Sequence, residues 1–338
     1  MQNLLVYTTK EHKGFMDEWQ PHRNCSDFWS IYSILKDETP GGSVYAFCIT
    51  IRQIRIALDS FCEVFCSLTD VTRSQTWEQR YLVPHVIRNK HKELYFDHNS
   101  FFCGDQVQIL FEGDAVAVRI DLGELHLDIC AEATTPTQWA GETGGLQLKN
   151  GLKSTTTLMS SWTPYLHCVG KLWMRETERP LRLEGTGAFE RLWGIFPTAN
   201  AKVHWEKFYV FLDNNTEFVV LDFPYGKQKY NVGFRMEPEK DISPLSSFEL
   251  RAVDFLEIDE WRFGSGWRLE ISDEEPLYLV PLIREQFVMA VPRPLLGIYD
   301  QEGKQLGYGF SELTPGARNE LRRIPLRVYY KYWKADVL

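Results

Sequence analysis

Residues 114–133 read DAVAVRIDLGELHLDICAEA. Val116, Val118, Ile120 and Leu122 share one side of a period-two pattern, and Leu125, Leu127 and Ile129 resume it after Gly123 and Glu124. Alternation on both sides of a glycine-bearing turn predicts a β-hairpin with one apolar face. The design recurs along the chain. HWEKFYVFLDNNTEFVVLDF (204–223) holds two strands around Asp213, Asn214 and Asn215, residues that tolerate turn dihedrals. LLGIYDQEGKQLGYGFSEL (295–313) repeats it around Asp300–Gly303. SSFELRAVDFLEI (246–258) and GWRLEISDEEPLYLVPLI (266–283) supply further strands. The best candidate for a short helix is DVTRSQTWEQRYL (70–82). Many short strands with regular turns predict a mostly β protein built of sandwiches or barrels.

The chain has 338 residues, a length that fits two domains. An internal similarity supports this. FWSIYSILKDETPGGSVYAF (28–47) and the 204–223 stretch each carry a Trp (29, 205), an aromatic three residues on (Tyr32, Phe208), and then Leu and Asp ahead of a turn. The polar segment RETERPLR (175–182), closed by Pro180, reads as the linker, so the predicted domains are 1–177 and 178–338.

Hydrophobic residues make up 44% and charged residues 25%, which excludes a disordered chain. The net charge of −9 repels phosphate backbones and argues against nucleic-acid binding. No stretch is long and apolar enough for a membrane helix, and the first residues lack the form of a signal peptide, so the chain reads as cytoplasmic. The seven cysteines are odd in number, and Cys48 and Cys130 sit in apolar stretches, which predicts reduced, buried thiols. Zinc-binding spacings, phosphate-cradling loops, HExxH and GxSxG are all missing, so neither metal nor cofactor is expected. Asp97 and His98 are neighbours on a strand and point to opposite faces, a poor ligand pair. The C-terminal stretch 317–338 is basic and aromatic, and reads as a last strand.

Aromatic content is 14%, with 11 Trp, 15 Tyr and 21 Phe. The tryptophans gather at element boundaries, and as a set they predict walls around a large apolar cavity. Glu190 and Arg191 lie beside Trp193, and a carboxyl next to aromatics is suited to general-acid work.

GTGAFERLWG (185–194), the 204–223 hairpin, GKQLGYGFSEL (303–313) and SSWTPYLHCVGKL (160–172) stand in an order that resembles AttH-like, lipocalin-like two-domain proteins. That family includes carotenoid hydratases and lipocalin-type Diels–Alderases. Its pattern G-x-A-W-x-D-H-x-W-G is matched here with Glu190-Arg191 in place of Asp-His, and with Trp193 kept. The resemblance implies two lipocalin-like β-barrel or sandwich domains. It also implies a cofactor-independent enzyme acting on a hydrophobic small molecule. Loss of the Asp-His pair favours a cyclase, a pericyclase of the Diels–Alderase type that folds a polyketide- or terpenoid-like substrate. A hydratase or isomerase with Glu190 as general acid is the alternative, and a non-catalytic lipophile carrier the third. Glu190 and Arg191 are the expected catalytic residues, and Trp29, Tyr32, Trp162, Tyr165, Trp193 and Trp205 the expected wall.

Overall fold

The computed structural model describes residues 8–9, 21–22, 25–56, 59–83, 94–97, 99–139, 145–149, 155–175, 179–194, 206–225, 228–238, 240, 242–258, 261–283, 287–288, 291–292, 295–313 and 336–337. Among these the fold is all β, and no helix is long and apolar enough to cross a membrane.

The first sheet contains β1 (Ser26–Asp37), β2 (Val44–Ile56), β3 (Asp59–Asp70), β4 (Gln75–Val83), β5 (Leu94–Phe96), β6 (Ser100–Cys103), β7 (Val107–Glu112), β8 (Ala115–Asp121), β9 (Leu125–Ala133), β10 (Thr155–Met174) and β11 (Leu181–Gly194). Their order is β4-β3-β2-β1-β11-β10-β9-β8-β7-β6-β5, all antiparallel. The sheet curls into a nearly closed barrel. Tyr81 and Val83 at one end of that order share one core with Leu94, Phe101 and Cys103 at the other. The hairpin read from 114–133 is β8–β9, and Gly123 takes φ +79° at its turn, a conformation that costs glycine little.

The predicted helix at 70–82 is instead a turn followed by β4. Leu68 faces Trp77 and Val64 faces Tyr81 across the ladder. Tyr81 and Val83 reach the barrel core, with Trp77 packed against it, so the side chains follow a strand period. Cys130 corrects a second expectation. It is exposed, because it occupies an outward position of β9 between inward-facing Ile129 and Ala131. Cys48, Cys62, Cys66, Cys103 and Cys168 are buried, and none of the seven cysteines forms a disulfide.

The second sheet holds β12 (Glu206–Leu212), β13 (Glu217–Tyr225), β14 (Gln228–Met236), β15 (Phe248–Ile258), β16 (Trp261–Ile271), β17 (Leu277–Pro281), β18 (Leu295–Tyr299) and β19 (Gln305–Leu313). The order is β14-β13-β12-β19-β18-β17-β16-β15, a curled half-barrel around Phe208, Val210, Phe218, Trp267, Leu279 and Ile298. The two sheets match two lipocalin-like β domains.

Residues 181–194, on the second-domain side of the expected boundary at 177/178, lie in the barrel unit. The reason is β11. Its backbone pairs with both β1 and β10, so residues 181–194 belong to the first sheet. A Cβ on Gly185 would collide with the Ile34 carbonyl oxygen, so glycine lets β11 lie this close to β1.

Candidate functional site at one end of the first barrel

Strand geometry divides the expected site. In β11 the odd residues Leu183 and Phe189 belong to the barrel core. Arg191 and Trp193 share that face, whereas Glu190 faces the opposite way. Register carries the division across three strands. Arg191 lies opposite Trp29 of β1 and Ser161 of β10, while Glu190 lies opposite Ser30 and Trp162. Trp29 and Trp193 therefore stand with Arg191. Tyr32 and Trp162 stand with Glu190, on the other face of the same sheet. Both faces are buried here, Glu190 at 4% exposure and Arg191 at 0%. Glu190 and Arg191, both expected to be catalytic, thus point to opposite faces of the sheet. Tyr165 sits at φ 50° in a bulge between Thr163 and Leu166, and its carbonyl accepts the Thr134 hydroxyl at 2.5 Å. Trp205 and His98 lie outside the described residues, as does most of the basic C-terminal stretch.

Around Arg191 the structure adds two residues that the sequence reading did not select. Arg191 Nη2 donates to Asp27 Oδ1 at 2.5 Å, and both side chains are fully buried. Arg191 Nη1 donates to the Phe28 and Leu192 carbonyls, each at 3.2 Å. His22 meets the same carboxylate. Its Nδ1 is 2.9 Å from Asp27 Oδ1, and its backbone N–H donates to Asp27 Oδ2 at 3.2 Å. An ionised carboxylate only accepts, so the His22 proton belongs on Nδ1. The 3.1 Å approach of Arg191 Nη2 to that nitrogen is then a contact and not a second hydrogen bond. The Nε2 atom keeps its lone pair, and among the described residues it has no partner. His22 is 34% exposed, so this nitrogen is the point of the cluster nearest solvent.

Aromatic rings hold these groups in place. The Arg191 guanidinium lies 4.1 Å from the Trp29 ring centroid and 5.0 Å from that of Trp193. His22 stacks on Trp193 at 4.5 Å with 4° between planes, and Trp139 meets the edge of Trp193 at 5.8 Å. Cation–π contact and stacking restrict the rotation of both polar side chains. Trp139 is brought in by the short strand Gln138–Trp139, which pairs with Trp162 and Ser161.

Among the described residues, the space found inside the barrel is small compared with the cavity predicted. Trp29, Ile31, Ile51, Phe96, Phe111 and Phe189 border a void of about 10 Å³. That is room for about one water molecule, and its walls are apolar. Large side chains such as Phe47, Phe101 and Phe111 belong to the same core, as happens in barrels of small diameter. The one signal that could have found His22 and Asp27 is PHRNCSDFW (21–29), where a His and an Asp stand just ahead of Trp29, whose strand pairs with GTGAFERLWG.

No family model matches the chain, and no curated protein matches its sequence. Solved structures do match. A protein from Nitrosomonas europaea, provisionally assigned as an AttH, superposes with a TM-score of 0.71 at 16% identity, over 90% of this chain and 97% of that one. Kievitone hydratase from Nectria haematococca superposes with a TM-score of 0.63 at 14% identity, over 90% of this chain and 92% of its own. The chain shares their fold.

Proposed function

We propose that this protein is an AttH-like enzyme of the hydratase kind, a lyase that adds water to a carbon–carbon double bond of a hydrophobic small molecule or removes it. The observation that carries the reading is the His22 imidazole, with its Nδ1 on buried Asp27 and its Nε2 free at the barrel end. The hydratase among the proteins of the same fold supports this reading over the cyclase.

The substrate is a double bond polarised by conjugation to a carbonyl, because an imidazole is a modest base. His22 Nε2 takes a proton from water as the oxygen bonds to the electron-poor carbon. The imidazolium then returns that proton to the adjacent carbon, so one H and one OH are added overall. Asp27 stabilises the imidazolium, and Arg191 holds the Asp27 carboxylate in place. Trp193, stacked on His22, and Trp139, at its edge, hold the imidazole in place. The reacting carbons sit beside His22 Nε2, the open nitrogen of the cluster.

The test is incubation with a panel of α,β-unsaturated ketones and conjugated polyenes in oxygen-18 water, read by mass spectrometry. Labelled oxygen entering the product, and lost in His22→Gln, is the expected result. A product of unchanged mass would restore the cyclase, and tight binding without turnover would make the protein a carrier.

A further inference from the structure

The outward face of β7–β11 carries a groove that the proposed reaction does not use. Register sets two rows of side chains across these strands. One row is apolar: Leu110, Ala117, Cys130 and Val169. The next is polar: Gln108, Arg119, Asp128, Lys171 and Arg182. Together they line a depression of about 710 Å³. Val169 is 43% exposed, one of few large apolar side chains so open among the described residues.

The charges in the polar row do not balance locally. Asp128 Oδ1 is already taken by Arg119 at 2.9 Å and by His126 at 3.0 Å. Lys171 and Arg182 face each other as register partners, and among the described residues neither has an ion-pair partner. Glu38 lines the same end, joined to Arg182 only through its backbone N–H on the Arg182 carbonyl at 3.1 Å. Glu184, the next outward residue of β11, lies 4.0 Å from His167. Like charges directly opposite on a sheet are destabilising, and an anion between them removes that cost.

We infer that this groove binds a single-chain amphiphile with a carboxylate head. The head lies between Lys171 and Arg182, and the hydrocarbon crosses the strands over Val169, Cys130, Ala117 and Leu110. Four adjacent strands span roughly 14 Å at ~4.8 Å per step. A medium-length alkyl chain matches that distance, so the probe is dodecanoate.

Cys130 reports occupancy, because it is the exposed thiol of the apolar row. The experiment follows alkylation of Cys130 in the full chain by peptide mass spectrometry, with dodecanoate held below its micelle concentration. Dodecanoate is expected to slow alkylation at least fivefold in the wild type. In the double variant Lys171→Gln/Arg182→Gln it is expected to leave the rate within twofold of the ligand-free value. Butanoate and dodecanol, which lack the chain and the charge respectively, should not protect. No protection by dodecanoate, or equal protection by dodecanol, overturns the site. Hydration activity should be unchanged in the double variant, so this result stands apart from the fate of the hydratase reading.

Discussion

Each sheet buries an acid–base pair on its central strands, and the two pairs are built differently. Lys207 and Glu312 are direct register partners on β12 and β19, 3.2 Å apart and 5% and 7% exposed. They lie on the face away from the apolar core of Phe208 and Val210, with Lys207 over the Tyr209 ring. Asp27 and Arg191 are diagonal neighbours on β1 and β11, on the core-facing side, and fully buried. The second pair touches the His22 imidazole, a group that can exchange protons with solvent. A buried ion pair is weak evidence of function, since desolvation offsets much of the Coulombic gain. An imidazole held by that pair, with one nitrogen open, is a stronger sign. The contrast teaches that access distinguishes a site from a strut.

The sharpest way to break the contrast is His22→Gln. It should lower hydration activity about 10²–10⁴-fold. Its melting curve should hardly move, because the side chain is partly exposed. An equal activity loss in Lys207→Met would erase the distinction. Next come the struts themselves. Arg191→Met and Lys207→Met each strand a buried carboxylate, and each should cost ~3–5 kcal/mol in denaturant unfolding. Lys207→Met combined with Glu312→Leu should recover most of that loss with activity intact. Asp27→Leu combined with Arg191→Met should recover stability but not activity. If that second double variant stays active, the cluster is structural only.

A chemical probe separates the barrel interior from its outside. Burial pushes the Cys103 thiol up to about 12 and raises Cys62 and Cys66 well above the ordinary thiol range. A raised value leaves these groups as unreactive thiols at neutral and mildly alkaline pH. Cys130 is raised too, by partial burial and then by Glu132, so its alkylation should be slower than that of a free thiol yet far faster than that of the other three. The smallest effect concerns turns. Ser74 sits at φ 54° between β3 and β4, and Asn215 at φ 62° between β12 and β13. Ser74→Gly should stabilise by about 0.5–1 kcal/mol, and Asn215→Gly by a few tenths at most, because Asn tolerates this conformation. Equal gains would show that the two turns are strained alike.

The paired stretches 28–47 and 204–223 show how far reading a sequence can go. Both are hairpins, as their alternation predicted. Yet matching Trp plus three places Tyr32 on the outward face of β1 and Phe208 in the core of the second sheet. A one-residue drift in register exchanges the faces of a strand, and two strands of aromatics and polar residues buried on both sides give no pattern to show which face is which. The helix at 70–82 failed for a related reason, since a short run suits either period until a neighbouring strand selects one.

Local alternation and turn residues were enough to determine an all-β chain with hairpins at 114–133, 204–223 and 295–313, because strand period and turn dihedrals are properties of adjacent residues. Tertiary structure alone decided the rest. It drew β11 into the first sheet, turned Glu190 away from Arg191, and carried His22 and Asp27 to a guanidinium 164 residues beyond Asp27. Such meetings depend on which strands pair and in what register. That choice comes from the summed burial of whole faces, and no short stretch of sequence records it.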